Sequence, residues 1–140
     1  MPAIGAMVAH MREVGRVEEE QDCSLDAICR LREGVRWRPG KHAQHLTKRI
    51  ELGYLPVGTT LAEYEAIIIR VRSTSTAEVF VYCWGETLYP MVVAEVEGIL
   101  WLVMIGLDSL MGTAFLPENS AIYLANLRFQ RLGTLEELGL

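Results

Sequence analysis

Residues 36–49, RWRPGKHAQHLTKR, place five cations (Arg36, Arg38, Lys41, Lys48, Arg49) beside two of the three histidines, His42 and His45, with no acid among them. The chain as a whole is acidic, with eighteen Asp and Glu against thirteen Lys and Arg, a formal charge of −5. Guanidinium and ammonium groups hold a phosphate and stabilise charge that builds on it. An imidazole gives or takes a proton near neutral pH. Together these groups meet the needs of RNA cleavage through the 2′-hydroxyl: a base for that hydroxyl, an acid for the 5′-oxygen, and cations on the pentacovalent phosphate. His42 and His45 are three residues apart, so a helix directs both toward one cleft. The same segment also reads as a solvated amphipathic helix end, with His45 and the cations against C-terminal carbonyls.

Outside this cluster the candidates are sparser. Lys48 and Arg49 extend the phosphate-binding set, and Arg70 reads either as a further phosphate ligand or as a salt-bridge residue. Tyr54, Tyr82 and Trp84 have the ring faces on which bases stack, although Tyr82 and Trp84 fit core packing better. Thr113, taken alone, is an ordinary strand threonine, and His10 has no titratable company. Cys23, Cys29 and Cys83 are odd in number and form no C-x-x-C pair, which argues against a disulfide framework and disfavours structural zinc. Cys29 and Cys83 sit in apolar patterns and are expected as small core residues. No metal or cofactor is expected. G-x-S-x-G, P-loop, G-x-G-x-x-G and H-E-x-x-H motifs are all missing, which removes the commonest other enzyme classes.

The elements that must carry these residues divide the chain into a helical first half and a strand-rich second half. Residues 1–17 carry weak signals and read as a loosely docked arm or short helix, with the core spanning 18–133. A helix is expected from Glu18 to about Arg32, where Leu25, Ile28, Cys29 and Leu31 form a stripe that Gly34 ends. Pro39-Gly40 makes a turn that presents the basic segment, and Lys41 to Leu52 forms a short helix with Leu46, Ile50 and Ala43 inward. Thr60-Leu61-Ala62-Glu63 is a capping box. The helix it opens, LAEYEAIIIRVRS, buries Leu61, Tyr64, Ile67, Ile68 and Val71 and leaves Arg70 and Arg72 needing solvent or a partner. Its β-branched run Ile67–Ile69 is also compatible with a strand.

Residues 78–116 read as a four-stranded antiparallel meander: EVFVYCW, TLYPMVVAEV, ILWLVMIG and LMGTAF, turning at Gly85-Glu86, Glu97-Gly98 and Asp108-Ser109. Pro90 requires a bulge or an unpaired side in its strand. The third strand is apolar on both faces and needs cover on both, from helices or from a second subunit. A C-terminal helix from Asn119 or Ser120 through Leu132 completes the expectation, with Ile122, Ala125, Phe129 and Leu132 on one stripe. Thr134 to Glu137 offers another cap. The fold class is therefore α+β, N-terminal helices packed on a four-stranded meander with a C-terminal helix, in one domain of 140 residues.

The longest apolar run, Gly98 to Leu107, is about half of what a membrane span needs. The N-terminus lacks a signal-peptide pattern, so a cytoplasmic location is expected. Overall acidity argues against nonspecific binding of nucleic acid by the whole surface, while a local basic patch still serves one site.

In its order of motifs the chain resembles the barnase–EndoU–colicin–RelE-like superfamily of toxin-type ribonucleases. The resemblance rests on Lys41-His42 after the first helix, T-L-A-E-Y-E at 60–65, V-Y-x-W at 81–84 and Gly112-Thr113-Ala114-Phe115 in the last strand, and covers roughly residues 20–125. It implies metal-independent RNA cleavage, with His42 in proton transfer, Lys41 supporting the phosphate and Thr113 against the scissile group, and an antitoxin or immunity-type protein as partner. The net acidity departs from the family's frequent basicity, as does the lack of any histidine beyond position 45. The other reading is a noncatalytic interaction module, a homodimer or a receiver for an acidic protein or nucleic acid on its basic patch.

Overall fold

The strands in the second half of the chain order the molecule. In this computed structural model, residues 24–115 and 129–140 are described. They form helices α1 (24–31), α2 (Lys41–Glu51) and α3 (Leu61–Ser73), followed by strands β1 (Glu78–Trp84), β2 (Thr87–Val96), β3 (Ile99–Ile105), β4 (Met111–Phe115) and β5 (Phe129–Thr134). The pairings between these strands are antiparallel, and the strand order is β4-β3-β2-β1-β5. The class is α+β with the helices ahead of the strands.

Four strands lie where the alternation and turn residues put them. The β2–β3 turn is a two-residue hairpin with both Glu97 (φ 53°) and Gly98 (φ 79°) left-handed, the geometry that matches strand twist. The fifth strand corrects the expectation of a C-terminal helix running through Leu132. Phe129 to Leu132 are extended and pair with β1, in a register that shifts between Val79 and Phe80. The earlier part of that expected helix, like the 1–17 arm, His10 and Cys23, lies outside the described residues.

The sheet buries both faces. Val79, Val92, Ala94, Val96, Trp101, Val103, Ile105 and Ala114 join Ala27, Ile28 and Leu31 of α1 and Tyr64, Ile68 and Val71 of α3 in the main core. On the other face Phe80, Met91, Val93 and Leu102 form a second cluster, with Tyr82 and Phe129 rings 4.7 Å apart beside it. β3 contributes to both, as its doubly apolar sequence requires. Those four residues of the second face are buried.

α3 is a helix despite its isoleucines, and its cap shows why. Thr60 Oγ1 accepts from the Glu63 amide at 3.1 Å, and Glu63 accepts from the Thr60 amide at 3.2 Å. Of its two arginines, Arg70 reaches Glu97 at 3.0 Å. Arg72 is buried instead, and its Nε donates to the Ile28 carbonyl at 2.6 Å, tying α3 to α1. Thr134 and Glu137 form a reciprocal pair of bonds at 3.1 Å each, as their spacing predicts. Cys29 and Cys83 are both exposed, contrary to their reading as core residues. Cys29 falls off the Ala27–Ile28–Leu31 stripe, and Cys83 lies near the end of β1, beyond the main core.

Candidate functional site

Pro90 helps open the site. It pairs with Val81 of β1, but the β2–β3 ladder begins only at Met91↔Met104, so Pro90 has its unpaired side toward β3. Beyond that point β3 leads into the 106–110 turn, and the chain returns as β4 with an extra residue. Met104 faces Thr113 and Ile105 faces Met111, which leaves Gly112 as the bulge. A Cβ on Gly112 would stand 3.2 Å from the Met104 carbonyl oxygen, and one on Gly106 only 2.5 Å from Asp108 Oδ1. These two glycines let the backbone fold tightly around a hollow.

α2 closes that hollow. Gly40 (φ 77°) begins the helix without a side-chain cap, and its first turn holds no acid but instead Lys41 and His42. This is the reverse of α3, whose first turn has a capping threonine and Glu63. Cations at the positive end of a helix dipole cost stability, and an anion placed there would recover it. The resulting cleft has a volume of about 330 Å³, lined by Arg38, Lys41, Gln44 and His45 from the basic segment and by Tyr89, Met104, Gly106, Met111 and Gly112 from the sheet.

His45 is the titratable group of this cleft. Burial, followed by the charges of Arg49 and Lys41, holds its imidazole below the ordinary histidine value. Its ring stacks on the Trp37 indole, centroids 5.6 Å apart. Arg38 spans to Asp108 across the rim at 3.5 Å, with both side chains about half exposed. Such a pair is weak and yields to a phosphate.

The residues singled out from the sequence separate into four groups. Lys41 and His45 line the cleft. Arg49 and Thr113 meet beside it, Arg49 Nη2 donating to Thr113 Oγ1 at 3.1 Å with its guanidinium 5.8 Å from the Phe115 ring centre. Tyr64, whose hydroxyl donates to the Ala114 carbonyl at 2.7 Å, adjoins Arg49. Burial raises the Tyr64 phenol above its ordinary value, against the pull of that guanidinium. Arg49 therefore clamps α2 to the edge strand, and its Nε is buried without a hydrogen-bond partner. His42 and Lys48 are exposed on α2, and neither His42 nor Thr113 is among the residues that line the cleft.

Arg70 and Tyr54 belong elsewhere. They line a second cavity of about 250 Å³ with Leu55, Pro56, Ile67, Val96, Glu97, Ile99 and Trp101, at the opposite end of the β2–β3 hairpin. The Trp84 side chain lies outside the description. Three participants gave no functional signal in the sequence. Tyr89 reads as a strand aromatic, Gly112 as a strand residue, and Trp37 as one more apolar residue in a basic run, although its place between two arginines and eight residues before His45 was the available clue.

Among the described residues, no group of three or more His, Cys, Asp or Glu is placed to hold a metal ion. Nor is any helix there long and apolar enough to cross a membrane. No family model matches the chain, and comparison with curated proteins and with solved structures returns no match. Nothing in these comparisons bears on the resemblance to toxin-type ribonucleases.

Proposed function

We propose that the protein is a metal-independent endoribonuclease whose catalytic base is His45. The observation that carries this reading is a single cleft in which an imidazole biased toward its neutral form stands with Arg38 and Lys41 at the uncapped start of α2. A neutral imidazole accepts the 2′-hydroxyl proton. The 2′-oxygen then attacks phosphorus, the bond to the 5′-oxygen breaks, and that oxygen leaves with a proton from Lys41 or solvent. The products are a 2′,3′-cyclic phosphate and a 5′-hydroxyl end. Lys41 and Arg38 stabilise the dianionic phosphorane, the largest charge that develops. Lys48 and Arg36, exposed on the same segment, engage neighbouring phosphates. Arg49 and Thr113 hold α2 against β4.

In this assignment the proton-transfer role passes from His42 to His45, because His42 is exposed on α2 and His45 lines the cleft. The test is incubation of the purified protein with total RNA in excess chelator. The expected result is fragments ending in 2′,3′-cyclic phosphate. RNA left intact across pH 5 to 9 would refute the reading.

One feature favours a protein partner as well. Val57, 93% exposed, together with the half-exposed Leu52 and Ile99, gathers near the second cavity, away from the cleft. A noncatalytic module, or an inhibitor of the antitoxin or immunity type, would use that end. A protein that cuts no RNA would have its function there.

A further inference from the structure

His45 is braced by a residue that does not itself line the cleft. Trp37 precedes α2, and its indole lies nearly flat on the His45 imidazole, with 27° between the planes. On another side the indole meets Tyr64, with centroids 5.8 Å apart. Its Nε1–H donates to Glu65 Oε1 on α3 at 2.9 Å. The backbone is fixed too: Trp37 forms a parallel bridge with Met111, and the Arg36 carbonyl accepts from the Met111 amide at 2.7 Å. The ring is thus pinned between α3 and the edge strand and offers one face to the imidazole.

Resting on the ribonuclease reading above, we propose that Trp37 is the positioning residue of this site: anchored by Glu65, its indole fixes the His45 ring and shields one face of it from water. Filling the core explains the contact with Tyr64. It does not explain why the same indole also covers His45, the histidine that lines the cationic cleft among the described residues.

The charged and titratable groups around His45 come from every packed element. Lys41 and Arg49 are on α2 and Arg38 is in the preceding loop. Tyr64 and Glu65 are on α3, Tyr89 is on β2, and Asp108, through its pair with Arg38, is in the β3–β4 turn. The charges of Arg49 and Lys41 favour the neutral imidazole, and the shielding by Trp37 acts in the same direction. The π face of the indole attracts an imidazolium and opposes both. Burial is the largest of the influences on His45, so removing the indole raises the pKa.

The experiment is an NMR titration of the His45 imidazole in the wild type, Trp37→Phe, Trp37→Ala and Glu65→Leu, with cleavage rate against pH measured on the same proteins. Trp37→Ala moves the His45 titration and the rising limb of the rate profile up together by about half a pH unit or more, the scale expected when an imidazole face is opened to water. Trp37→Phe keeps the stacked ring and stays near the wild type. Glu65→Leu frees the indole and falls between them. An unchanged His45 titration in a folded Trp37→Ala overturns the proposal, as does a Phe variant that shifts as far as the Ala variant. If Trp37→Ala does not fold, an unchanged titration in Glu65→Leu overturns it instead. The titration needs no catalysis, so absence of RNA cleavage defeats the ribonuclease reading separately.

Discussion

The β2–β3 hairpin carries a cavity at each end, and the two differ in chemistry more than in size. At the Tyr89–Met104 end the hollow holds about 330 Å³ and is met by Arg38, Lys41 and His45. At the Val96–Ile99 end it holds about 250 Å³ and is walled by Leu55, Pro56, Ile67 and Trp101, and the one cation among its described lining residues, Arg70, is paired with Glu97. Either is large enough for a small ligand. Only the first combines a proton acceptor with cations that lack a strong carboxylate partner. Volume therefore does not locate the site. The state of its charges does.

The sharpest way to break this comparison is to remove side chains at each end, one at a time. His45→Ala is expected to lower RNA cleavage on the order of 100- to 10,000-fold, the usual contribution of a general base. Arg70→Ala and Tyr54→Ala, at the other end, should stay within about twofold of the wild type, the span expected of residues that touch no substrate. A kinetic comparison of the three variants checks this, and a large loss in either far-end variant would merge the two regions into one site. Next in size, Lys41→Ala should lower kcat/KM on the order of 10- to 100-fold, about the loss of one charge-assisted contact to the phosphorane, with most of the fall in kcat. Initial rates over a range of RNA concentrations would show it.

The glycines sharpen the comparison through stability. Gly106→Ala puts a methyl 2.5 Å from Asp108 Oδ1 and displaces that carboxylate from the Leu110 amide. Its cost should be about 1–3 kcal/mol in urea unfolding, as for other overpacked positions. It should also disturb the Arg38–Asp108 rim. Gly98→Ala, in the hairpin turn at the other end, meets no atom within 4 Å and pays only for its left-handed φ of 79°, about 1–2 kcal/mol. Equal activity in both variants would show that the rim does not shape the site.

The smallest expected effect is a pH slope. The His45 pKa is depressed in the folded protein, so the unfolded chain binds the proton more readily. Folding stability is then complete above the ordinary histidine value of about 6.5. It declines as pH falls from there toward the folded value. Melting temperatures measured between pH 7.5 and 5 should show this decline in the wild type and a flatter course in His45→Gln. A slope of opposite sign would mean that the imidazole is held charged.

Much of this was legible in the sequence because it depends on neighbours along the chain. The Thr60–Glu63 box, the hairpin signal at Glu97-Gly98 and the alternation of β1 to β4 are all local patterns, and the structure reproduces them. The basic segment could be recognised as unusual by composition alone. What stayed hidden depends on contacts far apart in sequence. Phe129 to Leu132 fit a helical stripe and are extended because β1, some fifty residues earlier, offers them an edge. Tyr89 joins the cleft only because Pro90 parts two strands. Histidines three residues apart differ by about 60° around a helix, enough to turn one into a cleft and leave its neighbour outside. The Arg49–Thr113 contact likewise joins two residues that were marked for phosphate and puts them to work holding α2 on β4.

The most direct measurement compares three proteins on one labelled RNA in excess chelator: the wild type, His45→Ala and His42→Ala. The wild type should leave 2′,3′-cyclic phosphate ends, His42→Ala should retain most of that activity, and His45→Ala should lose nearly all of it while keeping the wild-type circular dichroism. Full cleavage by His45→Ala, or loss confined to His42→Ala, would contradict the account.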